Sequence, residues 1–201
     1  MSKTARRILI AAVVIILTIG WFWRYTSLNA YYDSIALDRD HAYYGIGDIV
    51  LFEDDRMSGG GALAEGYSIR VDDFEILEYT DLAPEDFAES DASRRDAPVR
   101  IALVHITLFN EDSDAQGIML TDLMLYGIDA LANMDWSLLT ALNPVLEGRY
   151  GARLSPGTEL SLVIPYDMYQ DVFPAAWNHL ESYPLYLYLT YFPTEKEIRV
   201  Q

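Results

Sequence analysis

VRIALVHITLF, residues 99–109, is the stretch of sequence that decides the fold. Because side chains alternate between the two faces of a strand, the residues of this stretch divide into two faces, and both are largely apolar. One face would carry Ala102, Val104, Ile106 and Leu108. The opposite face would carry Ile101, Leu103, His105, Thr107 and Phe109. A strand that is apolar on both faces is covered on both faces, so we expect a central strand here.

Short apolar stretches separated by turn signals continue on both sides of this strand. Turn signals stand at Gly45-Ile46-Gly47-Asp48, in the polar run 110–114 and at Ser155-Pro156-Gly157. We predict strands at 49–52, 67–79, 118–126, 160–164, 185–192 and, after a turn at 193–196, a last edge strand at 198–200. This spacing predicts an all-β fold, a β-sandwich of about seven strands.

The segments between the strands differ in character. Asp135 is predicted to cap a short helix that runs to Leu142 and stops at Asn143-Pro144. Another short helix is predicted at 171–180, with a proline in its first turn. The glycine-rich segment 58–61 is predicted to be a flexible connection, and the acidic segment 82–98 a mobile surface loop.

The N-terminus predicts a membrane anchor. Lys3, Arg6 and Arg7 precede an uncharged apolar run, residues 8–23, that ends in Trp21-Phe22-Trp23. A helix of that length spans about 24 Å, which is short for a bilayer, so a cleaved signal peptide is the alternative. The bulky aromatic end favours a retained anchor, since aromatic rings suit the membrane interface. The cations before the run predict a cytoplasmic N-terminus and an extracytoplasmic remainder.

The domain plan follows from these segments. We expect a cytoplasmic tip and transmembrane signal anchor at 1–25, a stalk or lead-in at 26–44, and an extracytoplasmic β-sandwich domain at 45–201. The 201-residue chain has no cysteine, so disulfides, thiol catalysis, cysteine metal sites and lipid attachment through cysteine are excluded. The fold must therefore rest on its hydrophobic core.

The charge of the chain is strongly asymmetric. The chain has 14 basic and 31 acidic residues, and the first 25 residues hold four of the basic residues and none of the acidic ones. The remainder, with 10 basic against 31 acidic residues, has a net charge of −21. Nucleic acid would be repelled by such a surface, whereas cations or basic partners would be attracted. Solubility is the simplest interpretation of this charge.

Four motifs stand in an order that is known from one family. They are Gly47-Asp48-Ile49-Val50, the stretch VHITLFNEDS at 104–113, the stretch LSPGTEL at 154–160, and Ile164-Pro165-Tyr166. This order resembles the immunoglobulin-like domains of unknown function on membrane-anchored or secreted proteins of Gram-positive bacteria. The resemblance covers residues 45–201 and implies a β-sandwich outside the membrane, with no catalytic residue to carry over. The chain departs from such relatives in lacking a lipobox cysteine and in the length of segment 129–150.

No residue set in the sequence selects a reaction. Residues 112–117 resemble the start of a calcium loop, but position twelve, which needs a bidentate glutamate, is Leu123. Other acidic groups at 53–55, 72–75 and 81–86 would bind a hard cation only if they converged. His41, His105 and His179 are far apart and lack metal-ligand spacing. We therefore expect no enzyme activity, no catalytic residue, no cofactor and no metal site.

The aromatic residues offer a different candidate, a binding platform. In the stretch 185–192, Tyr186, Tyr188, Thr190 and Phe192 alternate with leucines. If the leucines face the core, Tyr186, Tyr188 and Phe192 form an amphipathic surface for a glycan or a protein partner. The alternative is that these tyrosines only pair with side chains of neighbouring strands and stabilise the sheet.

The function we expect is a non-enzymatic binding or interaction module at the cell envelope. The membrane, through the N-terminal helix, and an envelope protein or glycan are the expected partners, and nucleic acid is excluded. Two alternatives stay open at this point: a carboxylate-dependent envelope hydrolase and a calcium-stabilised adhesive domain.

Overall fold

The computed structural model describes residues 3–36, 40–57, 64–82, 99–114 and 117–201. The chain divides into two units, residues 1–39 and residues 40–201. The first unit holds one long helix, α1 (Lys3–Ala36). Its segment Thr4–Ser27 has 24 residues and a mean hydropathy of 2.0. At 1.5 Å per residue this segment is about 36 Å long, enough to cross a bilayer core of about 30 Å.

The second unit is built mainly of strands. In chain order they are β1 (Asp40–Gly45), β2 (Ile49–Leu51), β3 (Arg56–Met57), β4 (Tyr67–Glu78), β5 (Val99–Asn110), β6 (Ile118–Met119), β7 (Met124–Tyr126), β8 (Leu131–Met134), β9 (Gly151–Ala152), β10 (Thr158–Tyr169), β11 (Tyr186–Phe192) and β12 (Thr194–Arg199). A short helix, α2 (Trp136–Leu142), follows β8. Single 3₁₀ turns occur at Tyr79–Asp81, Leu120–Asp122 and Pro144–Leu146, and a longer 3₁₀ segment at Trp177–Ser182.

The strands form two layers around one core. One layer has the order β1-β12-β11-β7-β8, and the other has the order β10-β5-β4-β2, with pairing between β8 and β10 joining the two. Inner side chains of both layers, such as Ile106 and Leu187, belong to one buried cluster. The predicted mostly-β, sandwich-like fold is therefore confirmed.

Strand β5 is central, as its sequence predicts. It pairs with β10 on one side and with β4 on the other, in both cases antiparallel. Its face with Val104 and Ile106 lies in the main core. The other face carries Ile101 and Leu103, which form a second buried cluster together with Leu138 of α2. Both faces are thus covered, one by the second layer of the sandwich and one by a helix.

Helix α2 begins and ends where the sequence predicts. The Asp135 side chain accepts hydrogen bonds from the backbone N–H groups of Ser137 and Leu138, at 2.9 and 3.1 Å. These bonds satisfy two of the donors that a helix N-terminus leaves free. The helix ends at Leu142, before Asn143 and Pro144.

Other predictions are wrong in their boundaries. The sheet begins at Asp40, inside the segment predicted as a stalk, and α1 continues to Ala36. The predicted strand 118–126 is interrupted by a 3₁₀ turn at Leu120–Asp122, and the predicted helix 171–180 is replaced by the 3₁₀ segment Trp177–Ser182. The described residues form twelve strands where about seven were expected, because several have only two to four residues. Segments 58–61 and 83–98 lie outside the described residues.

The C-terminal strand is not an edge strand. Residues 194–196, predicted as a turn, already belong to β12, which pairs with β11 on one side. On its other side β12 pairs in parallel with β1, from Asp40 opposite Thr194 to Gly45 opposite Arg199. Strand β1 is therefore the edge of this layer. At its end, Gly47 has a φ of +90°, which glycine adopts without strain, and the chain turns toward β2 in the other layer.

Candidate functional site

Strand β11 presents an apolar face to the core and a tyrosine face to the outside. Leu185, Leu187 and Leu189 are fully buried, as expected from the sequence. Tyr186 and Tyr188 alternate with them and are partly exposed. Both tyrosine rings therefore project from the outer side of the layer.

Tyr126, on the neighbouring strand β7, contacts both of these rings. The register places Tyr126 opposite Tyr186 and Met124 opposite Tyr188. The ring centroids of Tyr126 and Tyr186 are 5.7 Å apart with 28° between the planes, and those of Tyr126 and Tyr188 are 6.1 Å apart at 76°. Stacked and edge-to-face pairs of this kind contribute about 0.5–1.5 kcal/mol beyond the burial of their area. The three rings form a preorganised aromatic cluster.

Two glutamates extend this cluster across β12 to β1. Glu197 lies in register between Tyr188 on one side and Tyr43 on the other. Two residues earlier on the same face, Glu195 lies beside His41, with 3.7 Å between Oε2 and Nδ1. The His41 and Tyr43 rings stack with centroids 6.3 Å apart. We call this surface the tyrosine–glutamate face, formed by His41, Tyr43, Tyr126, Tyr186, Tyr188, Glu195 and Glu197.

The electrostatics of the face centre on Glu197, which is only 5% exposed. Burial raises the pKa of its carboxyl, the hydrogen bond from Tyr126 lowers it, and the neighbouring Glu195 raises it again, so that the pKa lies above its ordinary value. Burial and the contact with Glu197 also raise the pKa of the Tyr126 hydroxyl. The face thus combines phenol rings with two neighbouring carboxyl groups, of which the one on Glu197 is buried.

Most of the second unit matches one family model. Residues 41–196 match the model described as a domain of unknown function, DUF5028. The chain belongs to this family. The matched region of the DUF5028 domain begins at His41 and includes every residue of the tyrosine–glutamate face except Glu197.

Among solved structures, one that is similar to this chain is the crystal structure of an uncharacterised β-sandwich protein from Clostridium difficile 630. It is 12% identical in sequence, with a TM-score of 0.41, and the alignment covers 81% of this chain and 96% of that chain. No curated protein matches this chain.

The predicted platform is only partly assembled in the DUF5028 domain. A β-bulge between Tyr188 and Thr190 shifts the register against β12, so Thr190 points inward and is fully buried. Its hydroxyl donates to the Thr194 carbonyl at 2.8 Å. Phe192 is 51% exposed but lies beyond the bulge, opposite Arg56 of β3. By alternation Tyr191, rather than Phe192, continues the face of Tyr186 and Tyr188.

Sequence reasoning missed most of the tyrosine–glutamate face. Tyr126 lies in a three-residue strand, which is too short to show an alternating pattern. The pairs His41/Tyr43 and Glu195/Glu197 do have the period of two that is typical of strands. Two residues are too few to outweigh the patterns around them, which predict a stalk at residue 41 and a turn at residue 195.

The other predicted candidates do not form a common site. Among the described residues, no group of three or more His, Asp or Glu side chains is arranged to hold a metal ion. Leu123, at position twelve of the calcium-loop resemblance, is buried in the core. His105 is partly exposed, with Nε2 at 3.4 Å from Oε1 of Glu75.

Two cavities lie away from the tyrosine–glutamate face. One, of about 320 Å³, is lined by Ser113, Asp114, Arg153, Leu154, Ser155 and Pro156. The other, of about 340 Å³, is lined by residues of β2, β4, β5 and β10, including Phe109 and Glu159. Asn110, which also lines the second cavity, donates to the carbonyls of Ser113 and Leu154 at 2.9 Å. Its amide holds the loops together, so a structural role accounts for it.

Proposed function

We propose that this chain is a membrane-anchored, non-enzymatic module that binds a basic segment of a partner protein at the cell envelope. The observation that carries the proposal is the cluster of Tyr126, Tyr186 and Tyr188 beside Glu195 and Glu197 on an outer sheet face. Tyrosine supplies contact area and a hydroxyl with little loss of conformational freedom, which suits a binding surface.

The chemistry of the face favours lysine or arginine side chains as its ligands. A cation over a tyrosine ring gains about 0.5–2 kcal/mol, and a nearby carboxylate adds an ion pair. The strongly negative charge of the region beyond the anchor adds long-range attraction for the same partners. A neutral glycan would stack on the rings and donate hydroxyl hydrogen bonds to a carboxylate, but it would not gain the ion pair.

The anchor supplies the proposed location. Helix α1 is long and apolar enough to span a membrane, and three cations precede its apolar run. The positive-inside rule supports a cytoplasmic N-terminus and an extracytoplasmic DUF5028 domain. A reporter enzyme that is active only outside the cytoplasm, fused after Gln201, tests this orientation. Activity is expected in the C-terminal fusion, and an inactive but expressed fusion would overturn the orientation.

We further propose that the sandwich is of the immunoglobulin-like type. Its order β12-β11-β7-β8 corresponds to strands G-F-C-C′ of that fold, and its order β4-β5-β10 corresponds to strands A-B-E. An experimental structure in which β5 does not pair with β10, or β7 does not pair with β11, would remove this assignment.

The binding proposal is tested by titration with defined peptides. Full-length protein in detergent micelles is titrated with a lysine- and arginine-rich peptide and with a neutral peptide of equal length. We expect binding of the basic peptide that weakens with salt and falls at least tenfold in the double variant Tyr186→Ala/Tyr188→Ala. Tyr150→Ala is the matched control, since Tyr150 is half-exposed and contacts Trp136 elsewhere on the domain.

The outcomes of this titration separate the alternatives. Equal affinity of the wild type and the double variant would show that the face does not bind cations. Binding of envelope glycan fragments, lost in the same double variant and insensitive to salt, would instead assign the face to a glycan. A large rise in melting temperature in millimolar calcium would support the calcium-stabilised adhesive domain, because a ligand of the native state stabilises it.

One observation supports a carboxylate-dependent hydrolase as a second candidate function. Glu195 and Glu197 are in contact with each other. A hydrolase needs a carboxyl that keeps its proton near the working pH, and burial raises the pKa of Glu197. Hydrolysis of envelope polymers by the wild type, lost in Glu197→Gln, would favour this second candidate over the binding module.

A further inference from the structure

A buried lysine–aspartate pair lies on the inner side of β12, opposite to the tyrosine–glutamate face. Lys196 alternates with Glu195 and Glu197, so its side chain points into the sandwich and is 5% exposed. Asp55, in the connection between β2 and β3, is 1% exposed. Nζ of Lys196 lies against Oδ2 of Asp55. Two groups of opposite charge have thus been taken out of water together.

The contacts around this pair leave one atom in an unusual position. Nζ of Lys196 donates to the Leu51 carbonyl at 2.7 Å and to Oε2 of Glu53 at 3.3 Å. Oδ1 of Asp55 accepts the backbone N–H of Thr194 at 3.3 Å. Oδ2 of Asp55 has no hydrogen bond of ordinary geometry from any described residue, although Nζ is in contact with it. The amine of Lys196 therefore lies directly against the carboxyl group of Asp55.

We propose that Lys196 and Asp55 react with each other to form an intramolecular isopeptide bond. The bond between Nζ and Cγ forms, and the bond between Cγ and Oδ2 breaks. The ammonium group carries three hydrogens: one stays on the amide nitrogen, and two leave with Oδ2 as one water molecule. No electron is transferred, and the reaction needs no oxidant, metal or second protein.

The neighbouring groups supply what each step requires. Burial lowers the pKa of Lys196, while Asp55 and Glu53 raise it to a net value above the ordinary one, so Lys196 begins as the ammonium form. Proton transfer from Nζ gives the neutral amine and acid, the forms that a low-dielectric site tolerates. Glu53, whose Oε2 lies 3.3 Å from Nζ, is placed to accept the proton that Nζ loses before it attacks Cγ. The Thr194 N–H is placed to stabilise negative charge that develops on Oδ1.

Confinement of the two groups explains why they would react at all. Well-oriented intramolecular reactions reach effective molarities of about 10⁵–10⁸ M, far above any concentration in solution. The bond would join the connection after β2 to the last strand of the domain, between residues 55 and 196 of a chain that has no cysteine. It would thus take the place that a disulfide takes in other exported domains. This inference does not depend on partner binding.

Mass spectrometry of the full-length protein tests the proposal. Compared with the mass calculated from the sequence for the observed N-terminus, the denatured wild type is expected to lack one water, about 18 Da. After trypsin digestion, a branched peptide should join the fragments that contain Asp55 and Lys196, with no cleavage after Lys196. A full-length mass and a free Lys196 peptide from folded wild type would overturn the proposal and leave a buried ion pair only.

Three variants locate the chemistry. Asp55→Ala is expected to restore the full mass, and Glu53→Gln to slow formation of the branched peptide at least tenfold. Asp54→Ala is the matched control, because Asp54 is the exposed neighbour of Asp55 and should leave the branched peptide unchanged. A water loss that persists in Asp55→Ala would place the reaction elsewhere and contradict the assignment. The result for the wild type decides the question even if a variant fails to fold.

Discussion

Replacement of Asn143 by alanine should destabilise the domain more than any exposed substitution. The buried side chain of Asn143 hydrogen-bonds to the backbone of strand β10, in the position that a paired strand would otherwise take. Its Nδ2 donates to the Val163 carbonyl at 2.7 Å, and its Oδ1 accepts the Val163 N–H at 2.8 Å. One amide side chain therefore completes the backbone pairing of Val163 on the side away from β5.

The expected size of the effect follows from these bonds. In Asn143→Ala the N–H and the carbonyl of Val163 both lose their partner, at a cost of about 1–3 kcal/mol for each unpaired group. The Leu139 carbonyl, which Nδ2 also contacts, keeps the backbone N–H of residue 143. Since Val163 is only partly buried, we expect a total loss of about 2–4 kcal/mol.

Urea unfolding of the full-length protein in micelles measures this loss. With an unchanged slope, the midpoint should fall by roughly 1 M or more. Asn143→Asp keeps the acceptor for the Val163 N–H and loses the donor, so its midpoint should fall between those of the wild type and the alanine variant. Asn178→Ala makes the same chemical change at an exposed position and serves as the control. A loss below about 0.5 kcal/mol in Asn143→Ala would refute the reasoning.

Three further substitutions have expected outcomes. The folded-state pKa of Glu197 is raised, so the stability that its protonation contributes is fully present below the unfolded pKa and is lost as the pH rises through the folded pKa. The urea midpoint of Glu197→Gln should therefore exceed that of the wild type by a margin that grows from acid to neutral pH. A difference that stays constant with pH would contradict this. Asp135→Ala removes the cap of α2 and should cost about 1–2 kcal/mol in unfolding free energy, measured as for Asn143. Gly127→Ala places a methyl group into the ring of the buried Tyr183 and should cost about 1–3 kcal/mol, whereas an unchanged midpoint would show that the ring moves freely.

Local pattern was enough to predict the core of the fold. Strand β5 is apolar on both faces over most of its length, which predicts a central strand, and the leucines at 185, 187 and 189 mark the inner face of β11 by their period of two. The Asp135 cap and the stop before Pro144 depend on neighbours within a few residues. These are features that a chain specifies over short distances.

Long-range pairing explains what could not be predicted. The parallel pair of β1 and β12 joins Asp40 to Thr194, and no local pattern indicates that such distant segments meet. The tyrosine–glutamate face depends on this pairing, because β1 supplies His41 and Tyr43 while β12 supplies both glutamates. The bulge after Tyr188 likewise depends on the partner strand, so strict alternation could not predict that Thr190 is buried.

The measurement that tests the central claim most directly is site-specific photo-crosslinking in intact cells. A photoreactive phenylalanine analogue replaces Tyr188 on the tyrosine–glutamate face or, as the control, Tyr150 on another part of the domain. The account predicts a discrete crosslinked product only from position 188, with the attachment site in a lysine- or arginine-rich segment of one envelope protein. Equal products from both positions, or a product from position 150 alone, would contradict the assignment of this face as the binding surface.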